Sequence, residues 1–249
     1  MKIQVYSDIH LEHLDKPFSI EPKADYLFLA GDIGSIHSDN LRHFFDDISK
    51  KYKKVFYVLG NHEYYNNNSN ITIDEMLLLY RKFFKCYDNV YFLEKDRVEL
   101  EGYIVLGCTL WTHADQRCQY FYNDFRRIRI QDGEYTRMFT VKDHNRLYSE
   151  SLKWLKENYD PEKPTIIMTH HPTTSKYIAH PMFDKQASDY KTFFSSDVNF
   201  SPKSPLICIS GHTHYSFDFG IEGTRYIANQ KGYDDEAFDT KCNHGVFEL

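Results

Sequence analysis

The sequence predicts an α/β fold with some antiparallel sheet, on two observations. Strand-like runs alternate with amphipathic helical stretches early in the chain, and strand-like runs stand alone late. Residues 3–7 alternate like a strand, and residues 26–30 and 55–59 are continuous apolar runs. A first helix is expected over about 40–52, between the second and third of these. A second spans about 72–84, with Thr72 as its N-cap and Asp74 and Glu75 in the first turn, where negative charge is favoured. Residues 103–109 read as the next strand. Residues 111–137 are rich in aromatic and basic side chains, lack periodicity, and are expected to form a loop excursion over one end of the sheet. The third helix, about 141–158, starts at the capping pattern Thr140-x-x-Asp143 and should turn Leu147, Leu152 and Leu155 to the core. Strands follow at 164–169, 205–210, 217–221, 225–228 and 246–248. No internal repeat or low-complexity linker divides the chain, so residues 1–249 are expected to form a single domain.

The composition, 41% hydrophobic and 16% aromatic, supplies enough apolar surface for a core and excludes a disordered chain. No apolar run approaches the roughly 18–20 residues needed to cross a bilayer. The opening Met1-Lys2-Ile3-Gln4-Val5-Tyr6-Ser7-Asp8 meets an acid too early to hold a secretory apolar segment. A cytoplasmic location is the resulting expectation. Cys86, Cys108, Cys118, Cys208 and Cys242 are odd in number and form no Cys-x-x-Cys pair, which fits reduced thiols rather than a disulfide framework or zinc ribbon. Asn-x-Ser/Thr matches at Asn67, Asn70 and Asn199 carry no weight in that compartment. The net charge of −6 disfavours non-specific duplex binding. It leaves open phosphate held through metal ions, which bring their own positive charge.

The informative pattern is where the metal-capable side chains fall. Asp8 and His10 follow the first expected strand, Asp32 (after Gly31) the second, and Asn61 and His62 (after Gly60) the third. His170 and His171 end the strand at 164–169, and Gly211-His212-Thr213-His214 ends the one at 205–210. The ligand crevice of an α/β sheet lies beyond the carboxyl ends of its strands. Five strand ends therefore deliver carboxylate, amide and imidazole groups to one rim. Each motif alone is commonplace; their coincidence is not.

The ordered blocks Asp8-Ile9-His10, Gly31-Asp32, Gly60-Asn61-His62-Glu63, His170 and Gly211-His212-Thr213-His214 resemble those of the calcineurin-like metallophosphoesterases. Asn123-Asp124-Phe125-Arg126 and the tail from Arg225 to Tyr233 further resemble a small predicted-phosphohydrolase branch. That tail reads Asn229-Gln230-Lys231-Gly232-Tyr233 where the branch has Asn-Pro-Arg-Gly-Tyr. The resemblance implies a four-layer-type sandwich of two mixed β-sheets flanked by helices, with a two-metal site at the strand C-terminal ends. It implies that Asp8, His10 and His214 hold one ion, that Asn61, His170 and His212 hold the other, and that Asp32 bridges both. Nitrogen and oxygen donors without thiolate favour manganese, iron or zinc. By the same resemblance a metal-bridging hydroxide attacks a phosphodiester or phosphomonoester. His62 is then the catalytic histidine that protonates or stabilises the leaving oxygen.

Arg126, Arg127 and Arg129 form a compact basic cluster. Arg126 and Arg127, with His113, are candidates for substrate binding, since a guanidinium fork suits phosphate; a solvated basic face is the plain alternative. His171 reads either as support for a neighbouring ligand or as a packed strand end. Tyr64 and Tyr65 read as substrate-stacking rings or as core, and Glu63 as a tether for a neighbouring ligand. His13, His37, His43, His144, His180 and His244 have no motif context. Asn66 stands where a His-Glu-x-x-His zinc-protease helix needs its second histidine. The expected function is hydrolysis of a small phosphorylated substrate. A nuclease competes but is disfavoured by the acidic charge, and a metal-poor binding scaffold is disfavoured by the complete donor set. Specificity is expected in residues 111–137 and 173–200.

Overall fold

Continuous apolar runs become central parallel strands, because such strands are covered on both faces and need no polar side. The computed structural model describes residues 1–66, 69–180, 191–236 and 245–249. Asn67, Cys242, His244 and residues 181–190 of the expected specificity segment lie outside these. In the first sheet β1 (Lys2–Tyr6), β2 (Tyr26–Ala30), β3 (Lys54–Val58) and β4 (Val90–Phe92) run parallel. β13 (Val246–Glu248) pairs antiparallel on the free edge of β1, giving the order β13-β1-β2-β3-β4.

The second sheet contains β5 (Asp96–Leu100), β6 (Tyr103–Cys108), β9 (Thr165–Thr169), β10 (Leu206–Ile209), β11 (Phe217–Ile221) and β12 (Thr224–Ala228). Its order is β11-β12-β10-β9-β6-β5, parallel through the middle, with β5 and β11 antiparallel to their neighbours. A separate hairpin joins β7 (Arg129–Asp132) to β8 (Tyr135–Met138). The α-helices bounded within the described residues are α1 (Asp39–Lys51), α2 (Ile73–Phe84), the single turn α3 (Asp124–Arg127) and α4 (Val141–Asn158). Two mixed sheets flanked by helices are what the resemblance implied.

Period-two alternation divides the core. Val5, Phe28, Phe56 and Val58 of the first sheet meet Val105, Ile166, Met168 and Ile209 of the second in one buried layer. The alternate residues Leu27, Leu29, Val55 and Tyr57 face outward onto Phe44, Phe45 and Ile48 of α1 and Met76, Tyr80 and Phe84 of α2. Each such side chain removed from water contributes about 1.5–3 kcal/mol. Both long caps form as predicted. Thr72 accepts the N–H of Glu75 and Thr140 that of Asp143, and each acid reaches back to its cap.

Three readings change. In α4 the fully buried stripe is Val141, His144, Tyr148, Ser151 and Leu155, while Leu147 and Leu152 are half-buried at its margin. β4 is only three residues long, and β5 carries Arg97 and Glu99 on an exposed edge, so neither presents an apolar run. The 111–137 segment is not plain loop. It folds into short turns and the β7–β8 hairpin, whose Gly133, at φ 60°, makes the tight reversal after Asp132.

Candidate metal centre

Beyond β1 the chain stays hydrogen-bonded to the chain beyond β2. Asp8 N–H reaches Gly31 O, His10 N–H reaches Asp32 O and Leu11 N–H reaches Ile33 O. Left-handed residues curl both segments over the sheet end. Asp8, His10 and Asp32 have φ of 51–53°, and His212 and His214, after β10, have φ of 73° and 53°. None is glycine, so each such residue costs about 1–2 kcal/mol of backbone energy that the surrounding fold must offset.

Two glycines permit the close approach. A Cβ on Gly60 would overlap Asp32 Oδ1 and lie 2.7 Å from His170 Cε1. One on Gly211 would lie 2.6 Å from Asp8 Oδ2.

All seven expected donors converge. Asp8, His10 and His214 present ligand atoms within 4.8 Å of one another, as do Asp32, His170 and His212. Between the groups lies Asp32, whose Oδ2 is 3.9 Å from His10 Nε2 and 3.5 Å from His170 Nε2. Asn61 Oδ1 is 3.0 Å from His170 Nε2, and His212 Nδ1 is 3.2 Å from that same nitrogen. These donors are almost wholly buried; only His214 retains some exposure.

Three imidazoles have one nitrogen tied to a protein acceptor. His170 Nδ1 donates to Ala30 O at 2.9 Å, His214 Nδ1 to the Glu236 carboxylate at 2.7 Å, and His10 Nδ1 to Glu12 Oε1 at 3.3 Å. The amide of Asn61 is fixed likewise, its Nδ2 donating to Asp124 Oδ1 and Tyr65 Oη. The opposite atoms then face one another: His10 Nε2 and His214 Nε2 at 3.2 Å, and His170 Nε2 and Asn61 Oδ1 at 3.0 Å. Each pair needs a proton or a metal cation between its two atoms. With metal–ligand bonds of about 2.0–2.1 Å, adjacent ligand atoms stand about 3.0–3.4 Å apart, so the residues fit metal ions. His212 Nε2, buried, has no hydrogen-bond partner among the described residues.

The electrostatics agree. Burial opposes charge, yet Asp32 pushes His170 up to about 10, and Asp32 with Glu12 pushes His62 up to about 9. Despite its burial, Asp32 is held well below the usual carboxylate range by His170 and His62. Burial and the neighbouring imidazoles hold His171 and His212 well below the usual histidine value. The cluster draws positive charge.

His62 begins the turn after β3, where its N–H donates to Asp32 Oδ1 at 2.9 Å. Its ring joins Asp32, Asn61, His212 and His214 in lining a cavity of about 540 Å³. Aromatic rings form much of the wall, among them Tyr65, Phe121, Tyr122, Tyr177, Phe193, Phe194 and Tyr233. Tyr122 and Phe193 stack at 3.7 Å, with their planes 6° apart.

The substrate-binding candidates lie elsewhere. His113 is exposed, its N–H bound to Ser196 Oγ, and it does not line the cavity. Arg126 is held outside by its bond to Tyr120 O. Arg127 lies over the Tyr65 ring at 5.4 Å and does not line the cavity. Glu63 accepts the N–H groups of Asp32, Ile33, Gly34 and Gly60 and the Tyr57 hydroxyl, tying the two loops together. Tyr64 is core, whereas Tyr65 reaches the site. His171 packs on His212 and Trp111 at ring distances of 4.2 and 5.5 Å.

Glu12, Asp124 and Glu236, which orient the donors, went unassigned in the sequence. The spacing Asp8-x-His10-x-Glu12 is the one local signal pointing to them.

A family model described as calcineurin-like phosphoesterase matches residues 1–216. The uncharacterized protein L509 of Acanthamoeba polyphaga mimivirus is 31% identical over 262 residues, covering 95% of this chain and 93% of L509. The crystal structure of phosphopantetheinyl hydrolase from Mycobacterium tuberculosis superposes with a TM-score of 0.74 at 16% identity. It covers 100% of this chain and 95% of that one, a likeness of fold.

Proposed function

This chain belongs to the calcineurin-like phosphoesterase family and is a phosphoric-ester hydrolase, and on that premise we propose that it cleaves a small phosphorylated substrate at a pair of divalent cations. Asp8, His10 and His214 would hold one ion, Asn61, His170 and His212 would hold the other, and Asp32 would serve both. Manganese, iron or zinc suits this donor set. Two such cations supply Lewis acidity toward a phosphate oxygen and a water acidic enough to attack near neutral pH.

The observation that carries this reading is the convergence of donors, Asp8, His10 and His214 within 4.8 Å of one another and Asp32, His170 and His212 likewise, with Asn61 Oδ1 3.0 Å from His170 Nε2. His62, beside this ring and open to the cavity, gives a proton to the leaving oxygen. The cavity volume is typical of a small-molecule site, and its rings suit a substrate with an apolar or planar portion. Among the described residues the lining includes one lysine and no arginine. A nucleic-acid backbone needs several cations, so a nuclease is the weaker reading.

Purified protein should contain about two transition-metal ions per chain by elemental analysis. Manganese-loaded protein should hydrolyse bis-p-nitrophenyl phosphate. His62→Ala should keep its metal and lose turnover chiefly on esters of poor leaving groups such as phenol, and a variant as fast as the parent on those refutes the role given to His62. A folded, metal-free and inactive protein refutes the whole reading. Nucleotides, cyclic nucleotides, phosphosugars and phospholipid headgroups form the panel that narrows the substrate.

A further inference from the structure

Glu12 sits in the short turn Leu11–His13, just beyond the left-handed His10. The curl brings its side chain back beneath two rings. One oxygen, Oε1, lies 3.3 Å from His10 Nδ1 and 3.4 Å from His62 Nδ1. The other, Oε2, is buried without a hydrogen-bond partner among the described residues. Asp32, the other acid beside His62, takes its backbone N–H at 2.9 Å through Oδ1. Glu12 is thus the carboxylate at His62 Nδ1, while Nε2 opens toward the cavity, 3.5 Å from the Tyr233 hydroxyl.

We propose that Glu12 is the positioning residue for His62, accepting its Nδ1–H so that the Nε2–H is presented to the leaving oxygen. The inference rests on the reading of His62 as the proton donor. In the step, a water oxygen forms the new bond to phosphorus, and its proton goes to solvent. The ester P–O bond breaks with its electron pair on the leaving oxygen, which takes the Nε2 proton. Neutral His62 keeps its Nδ1–H on Glu12 until solvent reprotonates Nε2. A carboxylate behind the imidazole fixes tautomer and ring orientation and steadies the imidazolium.

The test is dependence on the leaving group, because only a proton-donor role varies with it. Manganese-loaded parent, Glu12→Ala, Glu12→Gln and His62→Ala are compared on methyl phosphodiesters of p-nitrophenol, phenol and an alkyl alcohol. Glu12→Ala should lose less than about 10-fold on the p-nitrophenyl ester and about 100-fold or more on the phenyl and alkyl esters, following His62→Ala. Glu12→Gln keeps an acceptor oxygen but not the charge, so its loss should show the same dependence on leaving group and be smaller than that of Glu12→Ala, and it also serves if Glu12→Ala fails to fold.

Metal content, measured in parallel, should be unchanged in Glu12→Gln. In zinc-loaded protein with ¹⁵N-labelled histidine, at a pH high enough to leave His62 neutral, its proton should sit on Nδ1 in the parent and be shared between the two nitrogens in Glu12→Ala. An equal loss on all three esters, or an unchanged His62 signal, overturns the role of Glu12 and leaves the hydrolase reading standing. A parent inactive on every ester overturns both.

Discussion

Asp32 Oδ1 accepts the backbone N–H of His62 at 2.9 Å, while Oδ2 of the same carboxylate stands 3.5 Å from His170 Nε2. One side chain therefore couples the start of the His62 turn to the centre of the donor ring. In Asp32→Asn the oxygen would stay with the His62 N–H and turn an NH₂ group toward His170 and His10. The variant should lose bound metal and fall beyond the roughly 10–100-fold typical of a lost supporting carboxylate. Elemental analysis and turnover of bis-p-nitrophenyl phosphate check both effects, and full metal content with full turnover contradicts the assignment.

Glu63 is an acceptor facing five donors, four backbone N–H groups and the Tyr57 hydroxyl. Glu63→Gln must aim an NH₂ group at some of them in a buried site. Stability should fall by about 3 kcal/mol, or roughly 6–12 °C in melting temperature. Calorimetry reads this directly, and a shift under 2 °C would mean that the two loops have other support.

A single methyl group should dismantle the centre at Gly60. The added Cβ overlaps Asp32 Oδ1 and presses on the backbone of the same residue at 2.7 Å. Gly60→Ala should fold yet bind metal more weakly by at least about 10-fold. Competition with a chromogenic chelator measures the change.

His144 shows how the core responds to acid. Burial against Trp111, Phe139 and Phe193 pushes it down to about 4, below the usual 6.5. As pH falls through 6.5 the unfolded chain takes up this proton first. His144 therefore contributes stability that is present above the unfolded value and lost between about 6.5 and 4. The loss from pH 7 to pH 5 amounts to about 2 kcal/mol. Urea midpoints of parent and His144→Phe at both pH values isolate this effect, and the variant should decline less by that amount. Parallel declines would show that His144 titrates alike in the folded and the unfolded chain.

Much of the donor set was legible because each member sits directly after an apolar run, where a strand end can be recognised from local pattern alone. The stripe of α4 was only partly legible: Leu155 is buried and Leu147 and Leu152 pack at its margin, but His144 and Ser151 are polar positions that face inward. β5 escaped for a related reason, its outward Arg97 and Glu99 reading as loop. The acids that orient the donors were invisible because proximity in space leaves no mark in sequence: Asp124 is 63 positions from Asn61, and Glu236 is 22 from His214. The Asp132-Gly133 turn, by contrast, was a readable hairpin signal inside an aromatic stretch that drew attention elsewhere.

The positive φ values of Asp8, His10, Asp32, His212 and His214 set heat resistance against catalysis at the same five positions. Glycine at any of them would relieve about 1 kcal/mol of torsional penalty while deleting a side chain the centre needs. Directed evolution for thermostability alone would drift toward those glycines, so a library built on this scaffold has to be screened for turnover at every round.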